Sequence, residues 1–332
     1  MAAAATLGPA VTRFRLLACA AMLSCFPASA IAQQRYALII AGATGGDEYA
    51  AQYTVWIDSL QQTLVERMKF EPSRVTVLSE TDKPGSSSTA ENVRKAIASI
   101  RQRMAREDLL FLFLAGHGTF DGVDAKFNLV GPDLESAEWA ALLKPLAGQV
   151  VVVNTTAGSF PFIERLSGPR RIVITATDSI AQRFDTVFAD YFVKAFDDPS
   201  ADLDKNQRIS VWEAFASGAA GVRRHYQQRG QLATERPLLD DNGDGVGTSA
   251  SEQGQDGAQA SRTYLEAERP GAAPTDEELL KLLQRKALLE GELEELKIRR
   301  AFLAAEEYAK EFERIITEYA RVSSEIRKRT KT

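Results

Sequence analysis

Leu109-Leu-Phe-Leu-Phe-Leu-Ala115-Gly116-His117-Gly118 is the stretch on which the reading of this chain turns. Its apolar run is continuous, with no polar residue at alternate positions. A strand with one face in water would alternate, so this run fits a strand buried on both faces, as in a parallel sheet covered by helices. It ends on a histidine between two glycines. The carboxyl ends of strands are where open α/β sheets place their chemistry, and a histidine on a loop there suits a general base.

Working outward, four more short apolar runs have the same character: Tyr36–Gly42, Arg74–Leu78, Val150–Val153 and Arg171–Thr175. Helical stretches separate them, over about 53–69, 89–106, 136–146 and 186–196. Strand and helix in alternation predict an α/β fold, a three-layer α/β/α sandwich around a mostly parallel sheet. With 45% hydrophobic and 26% charged residues, the composition is that of an ordinary globular protein.

The first 32 residues read as a secretory signal peptide. Arg13 and Arg15 provide the basic region, Leu16–Phe26 the apolar one, and Ala30-Ile31-Ala32 a small-residue cleavage site. The apolar run is too short for a membrane span, which needs about 20 residues. Cleavage after Ala32 predicts an exported protein, periplasmic or secreted, and removes both cysteines, Cys19 and Cys25. The remaining chain then forms no disulfide and carries a net charge of about −7, against nucleic acid or an anionic membrane as partner.

Residues 33–240 are expected to form the domain. Over 241–274 the composition turns to Gly, Ser, Ala, Gln and acidic residues, the pattern of a flexible linker. Thr275-Asp-Glu-Glu278 then opens a helix through a capping box. Leucines at 282, 289, 293, 296 and 303 continue, after a one-residue phase shift, into Tyr308, Phe312, Ile315, Tyr319, Val322 and Ile326. A single helix over 275–332 would reach about 80 Å, and its apolar stripe predicts a coiled coil through which the chain oligomerises.

Two acidic loops carry calcium-type spacing. Asp202, Asp204, Asn206, Arg208 (through its carbonyl), Ser210 and Glu213 occupy positions 1, 3, 5, 7, 9 and 12 of an EF-hand-like loop, with Gln207 where glycine is usual. Asp240, Asn242 and Asp244 begin a second, whose twelfth position is Ser251. Ser210 and Glu213 also read as a helix capping box, and Asp/Asn/Gly clusters as ordinary turns. Calcium is the one cofactor expected; no organic cofactor is.

Together the Tyr36 strand with Gly42-Ala-Thr-Gly45, the Leu-Phe-Leu-Ala-Gly-His117-Gly118 strand end, and Val-Val-Val-Asn-Thr155-Thr-Ala-Gly158-Ser159 resemble the legumain family, and more broadly the caspase-like cysteine peptidases, over roughly residues 36–180. The resemblance implies a caspase-like fold, a catalytic histidine at His117 and a nucleophilic cysteine at the end of the next strand. Thr155 stands in that cysteine's place, and Ala50 replaces an arginine of the substrate pocket. An internal threonine is a poor nucleophile: its alcohol needs far stronger activation than a thiol, and its β-branch is stiff. The expectation is a pseudopeptidase that binds protein or peptide, with Gly118, Gly158 and Ser159 as binding residues and the Gly118 and Thr155 amides forming an anion-binding nest. The alternative is an active peptidase in which His117 activates Thr155, Thr156 or Ser159.

Overall fold

The apolar runs pair as a six-stranded sheet in a computed structural model that describes Met1 and residues 33–83, 85–182, 185–250, 252, 255–267 and 277–330. The signal-peptide segment, the Thr275 cap and Ser251 lie outside the described residues. The strands are β1 (Arg35–Ala41), β2 (Val75–Leu78), β3 (Leu109–Ala115), β7 (Gln149–Asn154), β8 (Arg171–Thr175) and β9 (Leu238–Asp240), in the order β2-β1-β3-β7-β8-β9. All neighbours are parallel except β8 with β9. A small antiparallel sheet, β4 (Gly118–Phe120), β5 (Ala125–Phe127) and β6 (Leu134–Glu135), follows β3.

Strand alternation divides the core into two layers. Phe111 and Phe113 of β3 face one side with Val151, Val153, Ile172 and Ile174, while Leu110, Leu112 and Leu114 face the other with Val150, Val152 and Val173. The first layer is closed by α1 (Asp47–Gln62), which runs on into a π-helical turn over Thr63–Arg67, by α5 (Phe188–Ala195) and by α6 (Val211–Gln228). The second is closed by α2 (Ala90–Arg103), α3 (Ser136–Leu143) and α4 (Pro161–Leu166). Caps set several helix starts: Thr89 Oγ1 accepts from Asn92 N at 3.3 Å, and Ser210 with Glu213 forms the box that opens α6. The fold is α/β, as expected from the alternation.

Two expectations for the second half of the chain are corrected. Residues 241–250, 252 and 255–267 are part of the fold and not a linker; the rest of the stretch to Pro274 lies outside the described residues. Asp241 is buried and accepts from Gly257 N at 2.9 Å and from Gln259 N and Ala260 N at 2.7 Å. Asp256, also buried, accepts from Asp241 N at 3.2 Å and Thr248 Oγ1 at 2.6 Å. Composition misleads here because the segment is fastened by buried carboxylates holding backbone N–H groups, with few large apolar side chains involved.

The C-terminal region is a hairpin and not one long rod. α7 (Glu277–Arg299) ends in a 3-10 turn over Arg300–Phe302, and α8 (Ala305–Thr330) returns antiparallel to it. Arg285 pairs with Glu318, Glu292 with Arg314, and Tyr319 donates to Glu290. Most of the stripe read as a coiled coil packs within the chain: Leu289, Leu296, Ile315, Val322 and Ile326 join the core, and Leu282, Leu293, Leu303, Tyr308 and Tyr319 pack against it partly buried. α7 is also bolted to the domain, Lys286 Nζ donating to Leu203 O at 2.8 Å and Gln284 Nε2 to Asp256 O at 3.0 Å. No helix among the described residues is long and apolar enough to cross a membrane.

Candidate functional site

β3 and β7 are neighbours, so His117 and Thr155 emerge from adjacent strand ends. His117 is half-buried, and its Nε2 lies 3.1 Å from Thr44 O. A carbonyl only accepts, so Nε2 is the donor in this contact. Tyr49 packs edge-on against the imidazole at 4.6 Å between centroids, with Tyr53 at 6.0 Å. Tyr49 OH donates to Asp185 Oδ2 at 2.8 Å, and Glu80 accepts from Thr44 N at 2.8 Å and Thr44 Oγ1 at 2.6 Å. Those two donors hold the Glu80 carboxyl below its ordinary range. Tyr49 and Tyr53 reach the imidazole from one turn of α1, while Glu80 and Asp185 come from distant segments and carry no sequence signal that ties them to His117.

The hydroxyls expected beside the imidazole are committed elsewhere. Thr155 is 1% exposed; its Oγ1 donates to Leu114 O at 2.8 Å and its N to the same oxygen at 3.0 Å. Its amide therefore continues the β3–β7 ladder, which corrects the expectation that it contributes to a nest. Thr156 Oγ1 donates to Asn154 Oδ1 at 2.8 Å. Ser159 is fully buried, with Oγ 3.1 Å from Thr177 Oγ1 and accepting from Ala176 N at 3.1 Å and Thr177 N at 3.3 Å. It ties the β7 loop to the end of β8 and is neither a surface binding residue nor an accessible nucleophile. Ala50 lies on α1, which begins at Asp47, six residues before the helical stretch expected from about residue 53.

Gly118 and Gly158 do line a recess. With Thr119, Phe120, Asp121, Ala157, Ile180 and Gln182 they enclose a depression of about 460 Å3 beside the strand ends. One wall is β4, an edge strand of the small sheet. Gly118 lets β4 approach the β7 loop, because a side chain there would run into Thr156 Oγ1 and the Ala157 carbonyl. Gly118→Ala is expected to cost about 1–3 kcal/mol in a urea melt, as overpacked sites do. Gly46→Ala, where nothing lies within 4 Å, is the control; equal effects would show that the approach is not tight.

Both acidic loops form the same hydrogen-bonded frame. In the first, Gln207 N donates to Asp202 Oδ2, Asn206 N to Asp204 Oδ1 and Arg208 N to Asn206 Oδ1, at 2.8–2.9 Å. In the second, Gly245 N donates to Asp240 Oδ2, Asp244 N to Asn242 Oδ1 and Val246 N to Asp244 Oδ1, again at 2.8–2.9 Å. Position six is left-handed in both, with φ of 65° at Gln207 and 79° at Gly245, so the glycine departure does not alter the turn. Asp202, Asp204 and Glu213 are all buried, with ligand oxygens within 4.8 Å of one another. Burial pushes the carboxyls of Asp204 and Glu213 upward, with a neighbouring carboxylate adding to it in each case. Glu213 accepts from Ser210 N at 2.9 Å and Leu203 N at 2.8 Å, so it caps α6 and ties down the loop before it. In the second loop Asp240 is buried, while Asn242 and Asp244 are exposed.

No family model matches the chain. A 60-residue stretch is 35% identical to Metacaspase-4 of Arabidopsis thaliana, spanning 18% of this chain and 14% of that protein. The match suggests a caspase-like peptidase relationship at most. Among solved structures, protein GSU0716 from Geobacter sulfurreducens aligns with a TM-score of 0.42 at 15% identity, over 62% of this chain and 92% of that one.

Proposed function

We propose that this chain is an exported, caspase-fold pseudopeptidase that binds protein or peptide without cleaving it. The observation that carries this reading is the commitment of Thr155: its hydroxyl is buried and bonded to Leu114 O, while the proton-bearing nitrogen of His117 faces Thr44 O. General-base catalysis needs a hydrogen bond between base and nucleophile, and the Thr155 hydroxyl has already given its proton to Leu114 O. Support for the caspase fold comes from the mostly parallel sheet, the histidine and threonine at adjacent strand ends, and the short metacaspase match. The ligand's place is the depression beside β4, whose outer edge suits an extended peptide added as a further strand. Export rests on the Arg13–Ala32 leader pattern.

Calcium is the second part of the proposal. Asp202, Asp204, Asn206, Ser210 and Glu213 with the Arg208 carbonyl would hold it in the first loop, and Asp240, Asn242 and Asp244 in the second. Its role would be to neutralise the buried carboxylates at the start of α6.

The peptidase reading is separated from the binding one by incubating the purified chain with a diverse peptide library. No cleavage is expected, from the native chain or from Thr155→Cys, because the side chain at 155 points to Leu114 O. Cleavage that disappears in His117→Ala would overturn the proposal and establish the active-peptidase alternative.

A further inference from the structure

α8 has more apolar surface than α7 covers. Ile315, Val322 and Ile326 are buried in the hairpin, but an adjacent stripe, Ala309, Phe312, Ile316 and Ala320, recurs at three- and four-residue spacing and is exposed. Phe312 is 38% and Ile316 36% exposed, and Phe302 at the hairpin turn is 87% exposed. A helix packed on one neighbour needs a single stripe; two adjacent stripes are the pattern of a helix with two helical neighbours.

Charge says what the second neighbour is. The first half of α8 carries Glu306, Glu307, Glu311 and Glu313 against Lys310 and Arg314, and the second carries Arg321, Arg327, Lys328 and Arg329 against Glu318 and Glu325. A helix acidic at one end and basic at the other is complementary to its own antiparallel copy, and opposed to its parallel copy. We propose that a second copy of this chain docks on this face about a two-fold axis near Ile316, so that two hairpins form a four-helix bundle. The axis sets Ile316 on Ile316 of the second copy, Phe312 against the small Ala320, and Glu306 beside Arg327. Alanine at 309 and 320 lets the two helices approach closely. The interface lies on the hairpin and is independent of whether the recess beside β4 binds peptide.

Sedimentation equilibrium of the purified full chain tests this. A reversible dimer is expected, half-formed at about ten to a hundred micromolar. Ile316→Glu is expected to weaken it by roughly 100-fold, with an unchanged circular-dichroism melt because the side chain is at the surface. Glu306→Arg should also weaken it, and Glu306→Arg with Arg327→Glu should restore it, which only antiparallel pairing permits. A chain that stays monomeric throughout this range, or a dimer indifferent to Ile316→Glu, would overturn the proposal. So would a dimer whose Glu306→Arg defect the second substitution fails to repair.

Discussion

Adding about 1 mM calcium near pH 8 is expected to raise the melting temperature by about 5–10 °C, and Glu213→Gln to remove most of that gain. One site with an affinity near 10 μM would contribute about 3 kcal/mol at that concentration, and a domain of this size shifts by a few degrees per kcal/mol. The magnitude follows from burial: Asp202, Asp204 and Glu213 converge away from water, so a bound cation would offset their mutual repulsion as well as form bonds. Glutamine is the apt replacement because it keeps the capping box with Ser210 and leaves the start of α6 intact. Calorimetry in calcium and in chelator is the measurement. Identical melts in the two would remove calcium from the first loop; a gain that survives Glu213→Gln would move the site elsewhere.

Lowering the pH from about 8 to about 5 is expected to stabilise the protein through Glu235 by about 3 kcal/mol. This carboxyl is buried at the start of α5, where it accepts from Val187 N at 2.9 Å and Phe188 N at 2.8 Å. Burial outweighs those donors and pushes it from 4.5 up to about 7. Because the folded value lies above the unfolded one, the native state binds the proton more tightly. The contribution is complete below about pH 4.5 and is lost as pH rises through about 7. Urea melts across this range, run beside Glu235→Gln, read the difference directly. The glutamine amide oxygen can still accept from both backbone donors, so the variant should keep the fold and show a shallower slope, the remainder coming from Asp204, Glu213 and Asp256; parallel slopes for the two proteins would exclude Glu235 as a source.

Much of the sheet was legible in the sequence. The five parallel strands fall within a residue or two of their apolar runs, because a strand buried on both faces must be apolar throughout. β9 was not, since three residues, Leu238–Asp240, carry no period. The hairpin turn left a trace that was read as a phase shift. Lys297 and Arg299 close α7 and Glu306 and Glu307 open α8, charges that favour a helix end followed by a helix start, although no glycine or proline marks the place. The segment 241–267 was illegible for a different reason: buried Asp241 and Asp256 do the fastening, and composition counts them as solvent-seeking.

The sequence by itself determined the α/β class, the position of His117 at a strand end, the threonine where the resembling family has cysteine, and the spacing of two acidic loops. Those are properties of local pattern, carried by periodicity and by residue identity. Tertiary structure decided what each group faces. The Thr155 hydroxyl meets Leu114 O, Ser159 is sealed against the end of β8, Tyr49 and Tyr53 of α1 pack on His117 while Thr44 O accepts from it, and α7 folds onto the domain through Lys286 and Gln284. A hydroxyl or a carboxylate has the same inventory of bonds wherever it stands in a sequence, and only its neighbours in space settle which of those bonds it makes.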